Sequence, residues 1–404
     1  MNRRVVVVGG GVAGLEALMA LHDLAADRAQ LTLVAPDPDF VYKPQLVEEP
    51  FDLGPAEQHA LEPLAKEFGA EFIQAPANSV DVEAHTLALG DGSTLDYDFL
   101  VVCVGGRFYS ALKNARTFPS GDERLRIDDL LKTGDGLRRI AFVVPPGVTW
   151  TLPIYELALM AQRRAVELGL GEVEFTLVTP EEAPLAIFGP AASEAVSTLL
   201  EVRGIEFEAG TLVHEEDGEL VLTPGDRRLD AAEIIALPAM AGPAIAGLPA
   251  DEGGFIPIDE HARVYGVEDV YAAGDGTNFP IKQGGLGTQQ ADAAAAHIAH
   301  RVGAAVAVEP FHPVLRGKLL TGDESLHLRT DVAGGGGEGS ATLDSLWWPP
   351  HKISGRYLAA FLQHGEVHAE PEPPRRPIDV EVALPREWHE QPMALDPYGS
   401  PPID

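Results

Sequence analysis

The chain has 404 residues, 45% of them hydrophobic, enough for two buried cores or slightly more. Its 62 acidic residues against 29 basic give a formal net charge of −33 with no lysine- or arginine-rich stretch, which argues against nucleic-acid binding and against attraction to anionic membranes. One cysteine excludes a disulfide scaffold, no apolar run reaches the ~18 residues of a membrane-spanning helix, and no Cys/His spacing suits a metal.

Met1 stands almost directly before the first strand, leaving no room for a signal peptide, so cytoplasmic residence is expected. Arg3 to Val8 is a β-branched run without alternation, the pattern of a strand buried on both faces of a parallel sheet. Gly9-x-Gly11-x-x-Gly14 follows, and Val12 to Ala26 has helical character with Leu15, Leu18, Met19 and Leu21 on an apolar face. Gly9 allows the tight turn, Gly11 lets the backbone approach a pyrophosphate, and Gly14 lets the helix pack on the strand. Ala13 lies inside the same turn, where free N–H groups and the positive end of the helix dipole face the phosphates. Leu31 to Ala35 is the next strand and completes the βαβ unit. An acidic residue normally ends that strand on a ribose hydroxyl. Here Ala35 and Pro36 occupy the place, and Asp37, slightly late, or the backbone near Ala35 is the ribose candidate.

The stretch from His85 to Gly105 reads as a hairpin turning at Gly90-Asp91-Gly92, then a buried strand ending at Cys103-Val104-Gly105. Arg139 to Val144 is a further strand, with helices expected at 152–168 and 191–203, a strand at 173–178 and another beginning at 204–207. Val270 to Ala273 is a short apolar strand ending in Gly274-Asp275. The loop 280–285 then precedes an Ala-rich helix from Leu286 to His300. His297 and His300 share a face of that helix and read as a surface pair. Gly334 to Gly337 reads as a flexible loop, and Ile353 to Gln363 as a helix with Ile353, Tyr357, Leu358, Phe361 and Leu362 on its apolar face. From Ala369 onward the chain is Pro-rich and acidic: an extended arm on the body or on a second subunit of a homodimer, or partly disordered.

GGGVAGLEA at 9–17, FVYKP at 40–44, YDFLVVCVGG at 97–106 and VYAAGDGTNFPIKQGG at 270–285 together resemble the two-dinucleotide-binding-domain flavoproteins of the pyridine nucleotide-disulfide oxidoreductase superfamily. Within them the chain is most similar to type II NADH dehydrogenases, sulfide:quinone oxidoreductases and flavocytochrome-c sulfide dehydrogenase flavoprotein subunits. The resemblance covers roughly residues 1–320. It implies an α/β fold in which an FAD-binding Rossmann-like domain (1–112 and 246–316) is split around a second Rossmann-like domain (113–245), followed by a C-terminal extension (317–404). It implies FAD held by Gly9, Gly11, Ala13, Gly14, Asp37 and Gly105 at one end, and by Gly274 and Asp275, whose carboxylate takes ribityl hydroxyls, at the other. Lys43-Pro44 would lie near the isoalloxazine, unless that loop is an ordinary connection. Lys282, Gln283 and Gly285, with Thr288 and Gln289 as weaker candidates, would sit at the pyrimidine ring. There an ammonium and a helix N-terminus stabilise charge near N1 and the C2 carbonyl. Lys282 and Lys43 are the candidate catalytic residues, and a surface lysine is the plain alternative for Lys282.

Two departures constrain the chemistry implied by that resemblance. NADH-using members open the insert with a second glycine fingerprint followed by a Glu, whereas this chain has Pro145-Pro146-Gly147-Val148-Thr149-Trp150-Thr151-Leu152-Pro153, with Glu156 beyond. Prolines lack N–H groups and Trp150 is bulky, so NAD(P)H is a doubtful ligand here. Sulfide oxidoreductases carry two redox cysteines, and Cys103 alone, expected to be inert core, cannot form an intramolecular disulfide. The expectation is an FAD-dependent oxidoreductase that passes two electrons from a small donor to a quinone-like or protein acceptor. A type II NAD(P)H:quinone reductase with a degenerate nicotinamide site and a non-catalytic FAD-binding redox-sensing or structural protein remain open. Trp347 and Trp348 would either wall an acceptor pocket or pack the C-terminal helix onto the FAD domain.

Overall fold

The computed structural model describes residues 2–119, 124–132, 138–330 and 339–364. Strand β1 (Arg3–Val8) carries four buried valines, Val5 to Val8, and leads into α1 (Val12–Ala25). Each such side chain taken out of water contributes roughly 1.5–3 kcal/mol. There follow β2 (Ala29–Ala35), a 3-10 segment (Lys43–Phe51), β3 (Ala70–Gln74) and β4 (Phe99–Val102). The chain then runs through β5 (Arg107–Tyr109), β6 (Arg116–Thr117), β7 (Arg138–Val143), α2 (Leu152–Glu167), β8 (Val173–Val178), α3 (Pro190–Val202), β9 (Ile205–Glu208), β10 (Glu233–Ala236) and β11 (Ala239–Ala241). It ends through β12 (Val270–Ala272), α4 (Gly284–Arg301), β13 (Arg316–Leu319), β14 (Leu326–Arg329), β15 (Ser340–Thr342) and α5 (Leu358–His364).

Two five-stranded sheets, each parallel throughout, organise these elements. The first has the order β12-β4-β1-β2-β3, so a strand at residue 270 completes a sheet begun at residue 3. The second has the order β6-β10-β7-β8-β9 and is built wholly from the intervening chain. β5 and β11 pair antiparallel, so the chain leaves the first sheet and returns to it side by side. The small antiparallel sheet β13-β14-β15 packs on the second core, where Gly317 lies so close to Phe188 and Leu152 that a Cβ there would fall 2.5 Å from the Phe188 ring. This is the split α/β arrangement expected from the sequence.

One element differs from its reading. The apolar periodicity predicts a helix over 353–363, yet the helix begins only at Leu358, and residues 345–357 run as a strap without regular structure. The Glu16 carboxylate accepts the amides of Tyr357 (2.8 Å) and Leu358 (2.8 Å), so it caps the helix there. The glycine run 334–337 and the Pro-rich segment from Ala369 fall outside the described residues.

Candidate functional site

Three parallel strand ends stand side by side at the C-terminal edge of the first sheet. The Cys103 amide donates to Val8 O (2.6 Å), and the Ala273 amide donates to Val102 O (3.0 Å). Gly9 has φ +114°, and a Cβ there would lie 2.2 Å from Cys103 O; at Gly14 it would lie 1.8 Å from Gly9 O. Neither position tolerates a side chain, because helix and strand backbones touch. At Gly11, by contrast, a Cβ would meet nothing within 4 Å, and Gly11 caps α1 without any side-chain hydrogen bond. The first intrahelical bond is Leu15 N to Gly11 O, so the amides before it have no helical carbonyl to bond. Asp37 is exposed just past the end of β2, where a ribose hydroxyl could reach it, and no internal partner occupies it among the described residues.

The late segment closes on the same turn. Gly274 has φ +85°, with its Cβ position only 3.1 Å from Ala13 Cβ, and the Gly287 Cβ position lies 3.0 Å from Gly274 Cα. Gln290, fully buried in α4, accepts the Gly274 amide at 2.7 Å and so fixes the turn that presents Asp275. Gln290 escaped the sequence reading; its only signal is an amide side chain among alanines. Asp275 is half-buried and no hydrogen bond among the described residues takes up its carboxylate. Burial pushes its pKa up, and Lys282 and Lys43 pull it back, so those two lysines flank it. Lys282 donates to Thr277 O (2.5 Å), and its ammonium lies 3.8 Å from the centre of the Phe255 ring. Burial lowers it to about 8, with Asp275 and Asp251 opposing that shift. Gly105 (φ +71°) has open space at its Cβ position beside this edge.

Several polar candidates are taken up internally. Gln283 caps α4: its Oε1 accepts the Leu286 amide (2.8 Å) and its Nε2 donates to Arg316 O (3.0 Å), so its side chain is not free for a ligand. Thr288 donates to Gly285 O (2.9 Å) and is fully buried, and Gln289 bonds Gly285 O and both backbone groups of Val314. Gly285 itself is closely approached by Gln283 and by Ser354 Oγ. Cys103 is buried and its thiol is pushed up to about 12, which makes it inert. An open helix N-terminus at residues 11–14, a free carboxylate at Asp275 and two ammonium groups beside it fit the pyrophosphate, ribityl and pyrimidine parts of FAD.

The turn before α2 is built differently. Thr151 Oγ1, Tyr155 Oη and Thr179 Oγ1 all donate to the Glu181 carboxylate, at 3.1, 2.7 and 3.0 Å. Glu181 stands just past the end of β8, where such folds place the acid that reads a ribose. Both of its oxygens already accept a hydroxyl, Oε1 from Thr151 and Oε2 from Tyr155 and Thr179. Trp150 packs edge-on against Phe188 (5.8 Å between ring centres), and Leu152 is buried in the same cluster. The strap 345–357 closes the other side. Lys352 Nζ donates to Glu156 Oε2 (2.7 Å) and to Pro44 O (3.0 Å), while the second Glu156 oxygen accepts the Leu320 amide (3.0 Å). Trp347 is buried and donates to His351 O (2.9 Å), so it packs the strap; an acceptor wall formed by this ring is not what the contacts describe.

A family model described as "Pyridine nucleotide-disulphide oxidoreductase" matches residues 1–137 and 155–301. The unmatched interval between them holds β7 and the proline turn. The chain is 27% identical over 270 residues to a sulfide-quinone reductase of Aquifex aeolicus, covering 62% of each chain, so the match spans about three fifths of that relative's length. It is 26% identical over 302 residues to the ferredoxin reductase component of a chlorobenzene dioxygenase from a Cupriavidus species, covering 70% of each. Among solved structures, the sulfide:quinone oxidoreductase of Aquifex aeolicus superposes with a TM-score of 0.72 at 21% identity, over 81% of this chain and 83% of that one.

Proposed function

We propose that this chain, which belongs to the pyridine nucleotide-disulphide oxidoreductase family and takes FAD as its cofactor, is an oxidoreductase whose small electron donor meets the flavin directly, without a bound nicotinamide dinucleotide and without a cysteine relay. FAD, when bound, supplies the two-electron centre. Gly9, Gly11, Ala13 and Gly14 hold the pyrophosphate at the N-terminus of α1, Asp37 takes the ribose, and Gly105 borders the cleft. Gly274 and Asp275 hold the ribityl chain, and Gly285 gives the α4 N-terminus its close approach. Lys282 and Lys43 supply positive charge at the pyrimidine end, where the charge of two added electrons collects. Residues 1–112 and 246–316 form the FAD domain, 113–245 the insert, and 317–404 the extension, a division that the membership of the two sheets supports.

The observation that carries this reading is the Glu181 cluster. An acid that would accept ribose hydroxyls is already engaged on both oxygens by Thr151, Tyr155 and Thr179, beside a turn whose prolines offer no amides. A single cysteine, buried, leaves no partner for a redox disulfide within the chain. The relatives' names point to quinone and ferredoxin acceptors, so the acceptor is quinone-like or a small redox protein. No described helix is long and apolar enough to cross a membrane. Anaerobic mixing of the flavoprotein with a donor panel, including sulfide, thiols, NADH and NADPH, tests the proposal. Rapid, saturable bleaching by a small non-nucleotide donor is expected; saturable bleaching by a nicotinamide dinucleotide alone would favour a type II NAD(P)H reductase.

A further inference from the structure

The strap 345–357 has no role in the chemistry just outlined, yet it touches the loop around Lys43, the first turn of α4 and α1. Its Ile353 amide donates to Tyr42 Oη (3.0 Å), next to Lys43. The Ile353 side chain rests on the first turn of α4, where a Cβ at Gly284 would fall 2.7 Å from Ile353 Cδ1. Ser354 Oγ lies 3.3 Å from the corresponding position at Gly285. A few residues on, Tyr357 and Leu358 bind Glu16 in the first turns of α1. The strap's own anchor is a buried ion pair. Glu156 is 0% exposed and Lys352 12% exposed, both carboxylate oxygens are used, and the ammonium has a second bond to Pro44 O.

We propose that Lys352 is a positioning residue for the flavin site: its ammonium, shared between Glu156 and the Pro44 carbonyl, pins the strap across the redox end and fixes the Pro44–Gln45 peptide, next to Lys43. The inference rests on the reading above that FAD lies along residues 9–14, 43–44 and 274–285. Three chain segments, some 110 to 310 residues apart in sequence, converge on one nitrogen. Lys352 sits 308 residues from Pro44 and 196 from Glu156, so nothing local holds that geometry. A buried carboxylate with one cationic partner is held tightly, because losing that partner leaves a desolvated charge. A strap held only for stability would need the Glu156 pair alone. The additional bond to a carbonyl of the flavin loop is what ties the strap to the cofactor's surroundings.

The test uses the FAD-loaded full chain as wild type, Lys352→Met, Lys352→Arg and the double variant Glu156→Gln/Lys352→Met. The FAD dissociation constant and the midpoint potential are read without any electron donor. Lys352→Met is expected to weaken FAD binding about tenfold or more and to lower the potential, since a positive charge leaves the redox end. Lys352→Arg is expected to restore most of the affinity. The double variant, with no buried charge left unpaired, should regain thermal stability while keeping the loosened flavin. If Lys352→Met does not fold, the double variant is read in its place. FAD affinity within about twofold of wild type in the folded variant would overturn the proposal and leave a purely structural ion pair. A wild-type chain that held no FAD would instead overturn the earlier reading, and a failed donor search would bear on neither readout.

Discussion

The turn at residues 9–14 and the turn at residues 145–153 each join a buried parallel strand to a helix, and they end in opposite states. In the first, three glycines bring backbones into contact and leave the first helix amides with no helical carbonyl to bond. In the second, the space is filled by Trp150 and Leu152 against Phe188, and the neighbouring acid, Glu181, is bonded by three hydroxyls. The same βα geometry therefore leaves an uncapped helix start or builds solid core, depending on whether the turn is built from glycine or from proline and aromatic residues. Under the proposed function the second sheet acts as a scaffold, linked to the loop around Pro44 through Glu156 of α2 and Lys352 of the strap.

Substitutions can break this contrast at either turn. Gly14→Val should have the largest effect, because its Cβ would enter the space of Gly9 O. We expect loss of co-purifying flavin together with at least about 1–3 kcal/mol of destabilisation, read by flavin absorbance and thermal melting. Leu152→Ala should cost about 2–5 kcal/mol of stability from the cavity it leaves, yet the protein should keep its flavin colour and gain no dinucleotide affinity.

The carboxyl that caps the strap makes the comparison pH-dependent. Burial pushes Glu16 up to about 7 against the amides of Tyr357 and Leu358, and Asp292, raised by burial and by Glu16, lies beside it; Arg356 opposes both. A carboxyl raised in the folded state contributes stability that is whole below its ordinary range near 4.5 and is lost as pH rises through about 7. His297 and His327, both lowered by burial, act in the opposite direction below their ordinary value, so the difference between wild type and Glu16→Gln isolates the carboxyl. That difference should change by on the order of 1–3 kcal/mol between the two limits, and parallel pH profiles would contradict it.

Lys282→Met should be smaller still. A drop in flavin midpoint potential of about 30 mV, equivalent to about 1.4 kcal/mol for a two-electron couple, is expected with the fold unchanged. In the wild type the same loss should set in as pH rises through about 8, where the Lys282 ammonium gives up its proton.

The first turn was legible because its signals are local: four valines, then glycines at fixed offsets. Gly274-Asp275 was legible as a strand end, and the sheet order confirms that its strand lies beside β4. The capping role of Gln283 was not legible, because a polar residue before a helix looks the same whether it caps the helix or faces a ligand. The partners of Glu181 and Lys352 carried no local trace. Tyr155 lies 26 residues from Glu181 and Glu156 lies 196 from Lys352, so only the packed structure brings them together. The helix expected at 353 had the right periodicity, but Glu16, 341 residues away from Tyr357, decides where it starts.

The central claim is that the second turn does not hold a dinucleotide while the first holds FAD. The most direct measurement is the anaerobic rate of flavin bleaching as a function of NADH and NADPH concentration. A rate that rises linearly, without saturation, or is absent altogether is what the packed turn predicts; saturation at micromolar dinucleotide would contradict it.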